Sequence, residues 1–371
     1  MSQQRGRPTA RPEDDWWGQL YDVSTGDTGP STAPDSLDDR FASVRNTVRE
    51  RPDPPGFPVP PDTPTLPILP VVPARRPAPE PAAGPDYVGS GPPTYDPEPT
   101  VLPAAGPGEP DESVADTVLD GARYGSWTLR SVSSRGDSAR YRGEPRRDAV
   151  LTARFGSGEH ALVLVSMATG ARTTPQAHLA AAEACRWIGR AVGRSHRRLA
   201  EDLRAARRAD LKAGLHRLTG RSLGRLRASA AERGAEPGEY TATLRCLLLP
   251  ADPRCRTRVF FGVGEGGLFL LRDGAWRDIE PGEADEEPPE SPGPAPGPFR
   301  FQVSLARPGD ALLMCTPGLA EPLRGEPALS AYLSRRWSGR RAPGLAAFLA
   351  DARVRVKGYA DDRTAAAVWE A

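Results

Sequence analysis

Two apolar runs separated by a polar, glycine-containing break stand within residues 148–170. Ala149-Val150-Leu151-Thr152-Ala153 predicts a strand, opened by Asp148. Residues 161–165 are apolar at every position, which predicts a second strand buried on both faces. Gly156-Ser157-Gly158 between them is a turn signal, so the two runs read as a hairpin. The second run continues through Ser166, Met167, Ala168 and Thr169 to Gly170, small residues past which a ligand can come close to the backbone. Upstream, residues 127–133 alternate like a half-buried strand. Downstream, residues 178–231 have helical spacing. Ala180, Ala184, Ile188, Val192 and Leu199 predict one amphipathic helix. Leu203, Leu211, Leu215, Leu218, Leu223 and Leu226 predict another, broken near Gly220. Strands are then expected at 240–249, 258–264 and 268–276, the last folding at Asp273-Gly274. Gly262, Gly264 and Gly267 satisfy a dinucleotide-loop spacing, but a strand follows where that loop needs a helix, so the glycines belong to a hairpin.

Composition changes the picture at the N-terminus. Of 371 residues 42 are proline, and more than half of these precede residue 113. Residues 1–112 therefore read as a disordered, proline-rich tail, and residues 113–371 as one domain with a sizeable core. Two apolar islands interrupt the tail, at 14–22 around Trp16 and Trp17 and at 36–49 around Phe41 and Val44. Either can be transient residual structure or a docking motif. Residues 281–299 are acidic and proline-rich and read as a mobile loop inside the domain.

The net charge of +1 gives no global attraction to nucleic acid or membrane. Arginines crowd the predicted helices, among them Arg190, Arg194, Arg198, Arg217, Arg221 and Arg225. They read either as a solvated face or as a surface for an acidic peptide or nucleic acid. The scarcity of interleaved aromatics disfavours nucleic acid. Four cysteines without a Cys-x-x-Cys pair read as reduced residues of a cytoplasmic protein. No apolar run approaches the roughly 18 residues that span a bilayer. The richness in Ala, Gly, Pro and Arg suits a GC-rich bacterial genome.

Five short motifs, in order, resemble the metal-dependent protein phosphatases of the protein phosphatase 2C type (PPM). The pattern G-x-S-x-x-x-x-G-x-x-N-x-D-A is similar to Gly136-Asp137-Ser138 followed by Gly143 through Arg147-Asp148-Ala149. V-A-D-G-x-G-G resembles Val165-Ser166-Met167-Ala168-Thr169-Gly170-Ala171. An A-T-T-L strand is echoed by Ala242-Thr243-Leu244, D-x-L-L-L-x-S-D-G-L by Asp310 through Leu319, and D-D-x-T by Asp361-Asp362-Arg363-Thr364. The resemblance covers residues 113–371. It implies an α+β fold, a four-layer α/β/β/α sandwich of two mainly antiparallel sheets flanked by helices.

That family hydrolyses phosphoesters with two Mg²⁺ or Mn²⁺ ions that share a bridging carboxylate. The resemblance assigns Asp148 and Asp361 to retained metal positions and offers Asp362 and Glu265 as substitutes. It assigns Met167 to the bridging aspartate, Ala168 to the glycine beside it, and Pro317 to the aspartate of S-D-G. The arginine that holds phosphate falls on Gly143, leaving Arg142, Arg146 and Arg147 as candidates. A thioether and a proline do not bind hard dications. The expectation is therefore a degenerate member, a pseudophosphatase that binds a kinase or phosphoprotein of a signalling pathway. The alternatives are an active Ser/Thr phosphatase with a one-metal or rearranged site, and a basic-helix binding module.

Overall fold

A computed structural model of the chain describes residues 84–105, 113–172, 174, 176–235, 238–282, 297–339 and 341–371. The chain divides into two units, Met1–Pro77 and Ala78–Ala371, and the described residues all belong to the second. The islands at 14–22 and 36–49 lie outside them, as does most of the acidic segment at 281–299.

Two antiparallel sheets form the centre of this unit. In the first, β4 (Asp148–Phe155), β5 (Leu162–Thr169), β6 (Leu244–Pro250), β7 (Thr257–Val263) and β10 (Phe299–Leu305) lie side by side in that order. In the second the order is β2 (Thr117–Tyr124), β3 (Trp127–Ser134), β13 (Arg363–Glu370), β11 (Ala311–Cys315), β8 (Gly267–Arg272) and β9 (Ala275–Asp278). The period-two alternation of side chains sorts each strand between two cores. In β5, Val163, Val165 and Met167 join Trp127, Leu247, Phe260, Leu312 and Val368 in the layer between the sheets. Leu162, Leu164 and Ala168 face the opposite way, onto the long helices α2 (Ala177–Arg204) and α3 (Arg208–Glu232). The outer face of the second sheet packs on α4 (Pro317–Gly325), α5 (Pro327–Trp337) and α6 (Leu345–Ala352). The result is the expected α/β/β/α sandwich. No helix among the described residues is long and apolar enough to cross a membrane.

Asp273 and Gly274 both have positive φ, 54° and 78°, and close the β8–β9 hairpin where the sequence placed a turn. Two expectations are corrected. First, α3 runs through Gly220 without a break, because that glycine lies on the exposed side with open space around it. The chain instead breaks between α2 and α3, where Ala206 takes a positive φ of 53°. Second, the boundary at 112 falls too late. Residues 84–105 lie against the domain as a strap. Its β1 (Tyr87–Val88) pairs in parallel with β12 (Arg355–Val356). Further along, Arg355 donates to the carbonyl of Tyr95, and Thr100 Oγ1 donates to the carbonyls of Arg140 and Tyr141, its neighbours on the short helix α1 (Asp137–Arg142). Proline-dense sequence reads as disorder only while it has no tertiary partners for its carbonyls.

Asp116, just before β2, anchors the start of α1. Its carboxylate accepts from Arg135 Nε at 3.1 Å and from Arg140 Nε and NH2 at 2.9 and 2.7 Å. Burial raises its pKa, but the Arg140 and Thr117 hydrogen bonds and both guanidinium charges outweigh that and bring it down to about 2. A depressed carboxylate contributes stability above its unfolded pKa of about 3.9, and loses it as pH falls through the folded value. Asp116→Asn should therefore lower stability at pH 6, by about 1 kcal/mol given its partial exposure. Urea melts should show that difference shrinking below pH 4 and vanishing near pH 2.

Candidate functional site

The site forms where the end of β5 meets the starts of β4, β13 and α4. Asp148 opens β4 and sits directly across from Thr169, the last residue of β5. Three hydroxyls surround its buried carboxylate. Thr169 Oγ1 donates to Oδ1 at 2.6 Å, and Thr316 Oγ1 and Thr364 Oγ1 donate to Oδ2 at 2.7 and 2.8 Å. Ser133 Oγ backs Thr364 Oγ1 at 2.7 Å. Thr316 is the N-cap of α4, yet its hydroxyl does not cap the helix because it is spent on Asp148. Burial and the nearby charge of Asp362 push the Asp148 carboxyl up to about 7, against the pull of the three hydroxyls.

Asp362 is buried and acts as a staple. Its Oδ1 accepts the backbone N–H of Gly136 at 2.7 Å and its Oδ2 that of Arg147 at 2.6 Å. Burial raises its pKa, and the two N–H groups oppose the rise. Gly318 allows the close approach of α4 to this loop: a Cβ there would lie 2.0 Å from the Asp362 carbonyl oxygen. Asp361 points outward and is ion-paired with Arg172 NH2.

These groups line a cavity of about 290 Å³ that also takes in Arg147, Gly170, Glu265, Pro317 and Glu321. A second cavity of about 400 Å³ shares Arg172, Gly318, Glu321 and Asp361 with the first, and the strap residues Pro93, Thr94 and Tyr95 line it. The Arg172–Asp361 pair thus stands on a wall common to both.

Of the residues expected from sequence, Asp148, Asp361, Asp362, Glu265, Pro317 and Arg147 meet at the cavity. The others do not line it. Met167 has no exposed surface and lies in the apolar layer between the sheets, on the same face of β5 as Thr169 but two residues short of the strand end. Ala168 faces the α2 side. Met167 and Ala168, expected at the bridging position and beside it, do not reach the cavity, whereas Thr169 at the end of β5 and Gly170 just after it do. Arg142 is exposed and held by Glu144 at 2.7 Å. Arg146 is buried, with NH1 donating to the Ser133 carbonyl at 2.6 Å. Arg147 lines the cavity and has a buried NH1 without a partner among the described residues. Sequence reading missed Arg172 and the three threonines. Among the described residues, no group of three or more His, Cys, Asp or Glu side chains is placed to hold a metal ion.

The sequence profile described as Protein phosphatase 2C matches residues 135–352, more than half of the chain. The chain belongs to the protein phosphatase 2C family. Solved structures similar to this phosphatase 2C chain include a serine/threonine phosphatase of S. agalactiae, at 14% identity and a TM-score of 0.45, covering 66% of this chain and 100% of that one. They also include PstP/Ppp of Mycobacterium tuberculosis, at 19% identity and a TM-score of 0.42, with coverage of 66% and 100%. A third is PppA of Pseudomonas aeruginosa, at 18% identity and a TM-score of 0.43, with coverage of 68% and 100%. No curated protein matches the chain. In this phosphatase 2C domain each of the five motifs contributes at least one residue to the strand-end cavity, among them Asp148, Gly170, Thr243, Pro317 and Asp362.

Proposed function

We propose that this protein is a pseudophosphatase, a phosphatase 2C domain whose strand-end groove binds a phosphoprotein or kinase of a signalling pathway without hydrolysing phosphoesters. The reading rests on the occupation of the carboxylates. Two hard dications need several anionic oxygens and one carboxylate that touches both. Because Thr169 and Gly170 line the cavity and Met167 does not, the V-A-D-G pattern is read on Met167-Ala168-Thr169-Gly170, so that Thr169 and Pro317 stand at two of the aspartate positions and supply no carboxylate. Asp148 is committed to three hydroxyl donors, Asp362 to two backbone N–H groups, and Asp361 to Arg172. A guanidinium beside Asp361 supplies positive charge where a dication would supply it. These residues do not fit the Mg²⁺ or Mn²⁺ pair of the family. The four cysteines are all free thiols, in keeping with a cytoplasmic location.

Calorimetric titration of the full chain with Mn²⁺ tests this. The wild type should bind only weakly. Thr169→Asp combined with Pro317→Asp should raise the affinity by about tenfold or more, and each single change by much less, because ligands act as a unit. Tight Mn²⁺ binding by the wild type would remove the basis of the proposal.

A further inference from the structure

The outer face of the α2–α3 pair carries an ordered array of positive charge that the groove does not use. The two helices are antiparallel. Their register is set near one end by Trp187, whose indole lies under both Arg190 of α2 and Arg225 of α3, with guanidinium carbons 4.9 and 4.8 Å from the ring centroid. The Glu183–Arg233 ion pair, at 3.4 Å, keeps the same register about two turns beyond the Arg190–Arg225 pair. Moving the other way, one helical turn brings Arg194 level with Arg221, and the next brings Arg198 level with Arg217. All six arginines are exposed. Arg198 reaches Asp202 only at 4.0 Å, and the other five form no ion pair among the described residues. The array is therefore a ladder of three arginine pairs, each rung about 6 Å from the next.

A solvated helix face ordinarily alternates signs at i and i+4, whereas like charges at that spacing destabilise the helix. Here one sign repeats along both helices and across the seam between them. Arginines packed on an indole keep the N–H edges of their guanidinium groups free for oxyanions. The ladder is short and ends in carboxylates. Asp202 and Asp210 close it at the α2–α3 turn, where both meet Arg207, and Glu183 closes the other end. A nucleic-acid backbone continuing along this axis past the α2–α3 turn would meet arginines already paired, Arg204 with Glu159 and Arg207 with Asp202 and Asp210. Trp187, already engaged by two guanidinium groups, is a poor platform for stacking a base. An extended peptide, in contrast, presents same-face side chains about 6.6 Å apart, close to the rung spacing.

We propose that the α2–α3 face docks an acidic peptide segment of a partner protein, in extended form, with Asp or Glu at every second residue over about three such positions. This surface is independent of the groove reading.

The test is fluorescence anisotropy with the full chain. The probes are labelled (Glu-Ala)5, its neutral counterpart (Gln-Ala)5 and a 20-nucleotide oligothymidine. The expected result is that (Glu-Ala)5 binds and (Gln-Ala)5 does not, and that oligothymidine binds more weakly than (Glu-Ala)5. Reversing the middle rung with Arg194→Glu and Arg221→Glu should weaken (Glu-Ala)5 by about tenfold. Arg277→Glu, on β9 of the other sheet, should leave binding unchanged. The reversed variant removes repulsion, so its melting temperature should equal or exceed that of the wild type, which separates lost binding from lost folding. Tighter binding of oligothymidine, indifference to the rung reversal, or no binding of (Glu-Ala)5 at low salt would each overturn the proposal.

Discussion

Met167→Asp is expected to unfold much of the domain, whereas Thr169→Asp should be tolerated. The two residues lie on the same face of β5, two apart, so the contrast isolates position from chemistry. Met167 lies in the apolar layer with Trp127, Val165, Leu247 and Met314, and directly across from it on β6 stands the buried Arg245, whose guanidinium is held by Glu280. A carboxylate there either stays unpaired in the apolar layer or draws Arg245 away from Glu280, and the methionine packing is lost in both cases. The cost is about 3–5 kcal/mol, a large part of the stability of an ordinary domain. Thr169 ends the same strand at the cavity and is partly exposed. A carboxylate there repels Asp148, which costs far less because water reaches the cavity. Its melting temperature should rise with added Mn²⁺, as anything that binds only the folded state stabilises it. Differential scanning fluorimetry of both variants, with and without Mn²⁺, checks the pair. Equal stability of the two would mean that the β5 register is wrong.

Asp362→Ala should be the most damaging change at the site itself. It leaves the buried N–H groups of Gly136 and Arg147 without acceptors, at about 1–3 kcal/mol each. It also frees the loop that carries Arg147 from the loop before β13. A loss of about 3 kcal/mol or more is expected, or roughly 6–12 °C in melting temperature for a domain of this size. Asp362→Asn keeps one acceptor oxygen and should fall between the two, since its amide can satisfy one N–H but not both. If Ala and Asn behave alike, the staple is not what the carboxylate contributes.

The fold was largely legible because its strands carry their burial in their composition. The unbroken apolar run of β5 announces a strand covered on both sides, and the hairpin turn at Asp273-Gly274 announces itself in two residues. What sequence could not supply was register. A tight turn centred on Gly156–Gly158 would pair Asp148 with a residue short of Thr169. A 3-10 turn at Gly158–His160 lengthens the connection, so the strands first pair at Phe155 and Leu162 and the strand end moves to Thr169. The period of two placed Met167 and Thr169 on one face but could not tell which of them reaches the edge. Arg172 was invisible for a related reason: its role depends on Asp361, 189 positions away in the chain. The threonines lie in three separate motifs and become one network only when β4, β5, β11 and β13 meet. The strap failed differently, since its order comes from carbonyls accepting donors of the domain, which composition does not record.

The most direct test of the pseudophosphatase reading is hydrolysis of p-nitrophenyl phosphate by the full chain, measured over a range of Mn²⁺ concentrations beside an Asp148→Asn variant. The expected result is no Mn²⁺-stimulated turnover by the wild type and no difference between the two proteins. Turnover that rises with Mn²⁺ in the wild type and disappears in Asp148→Asn would contradict it.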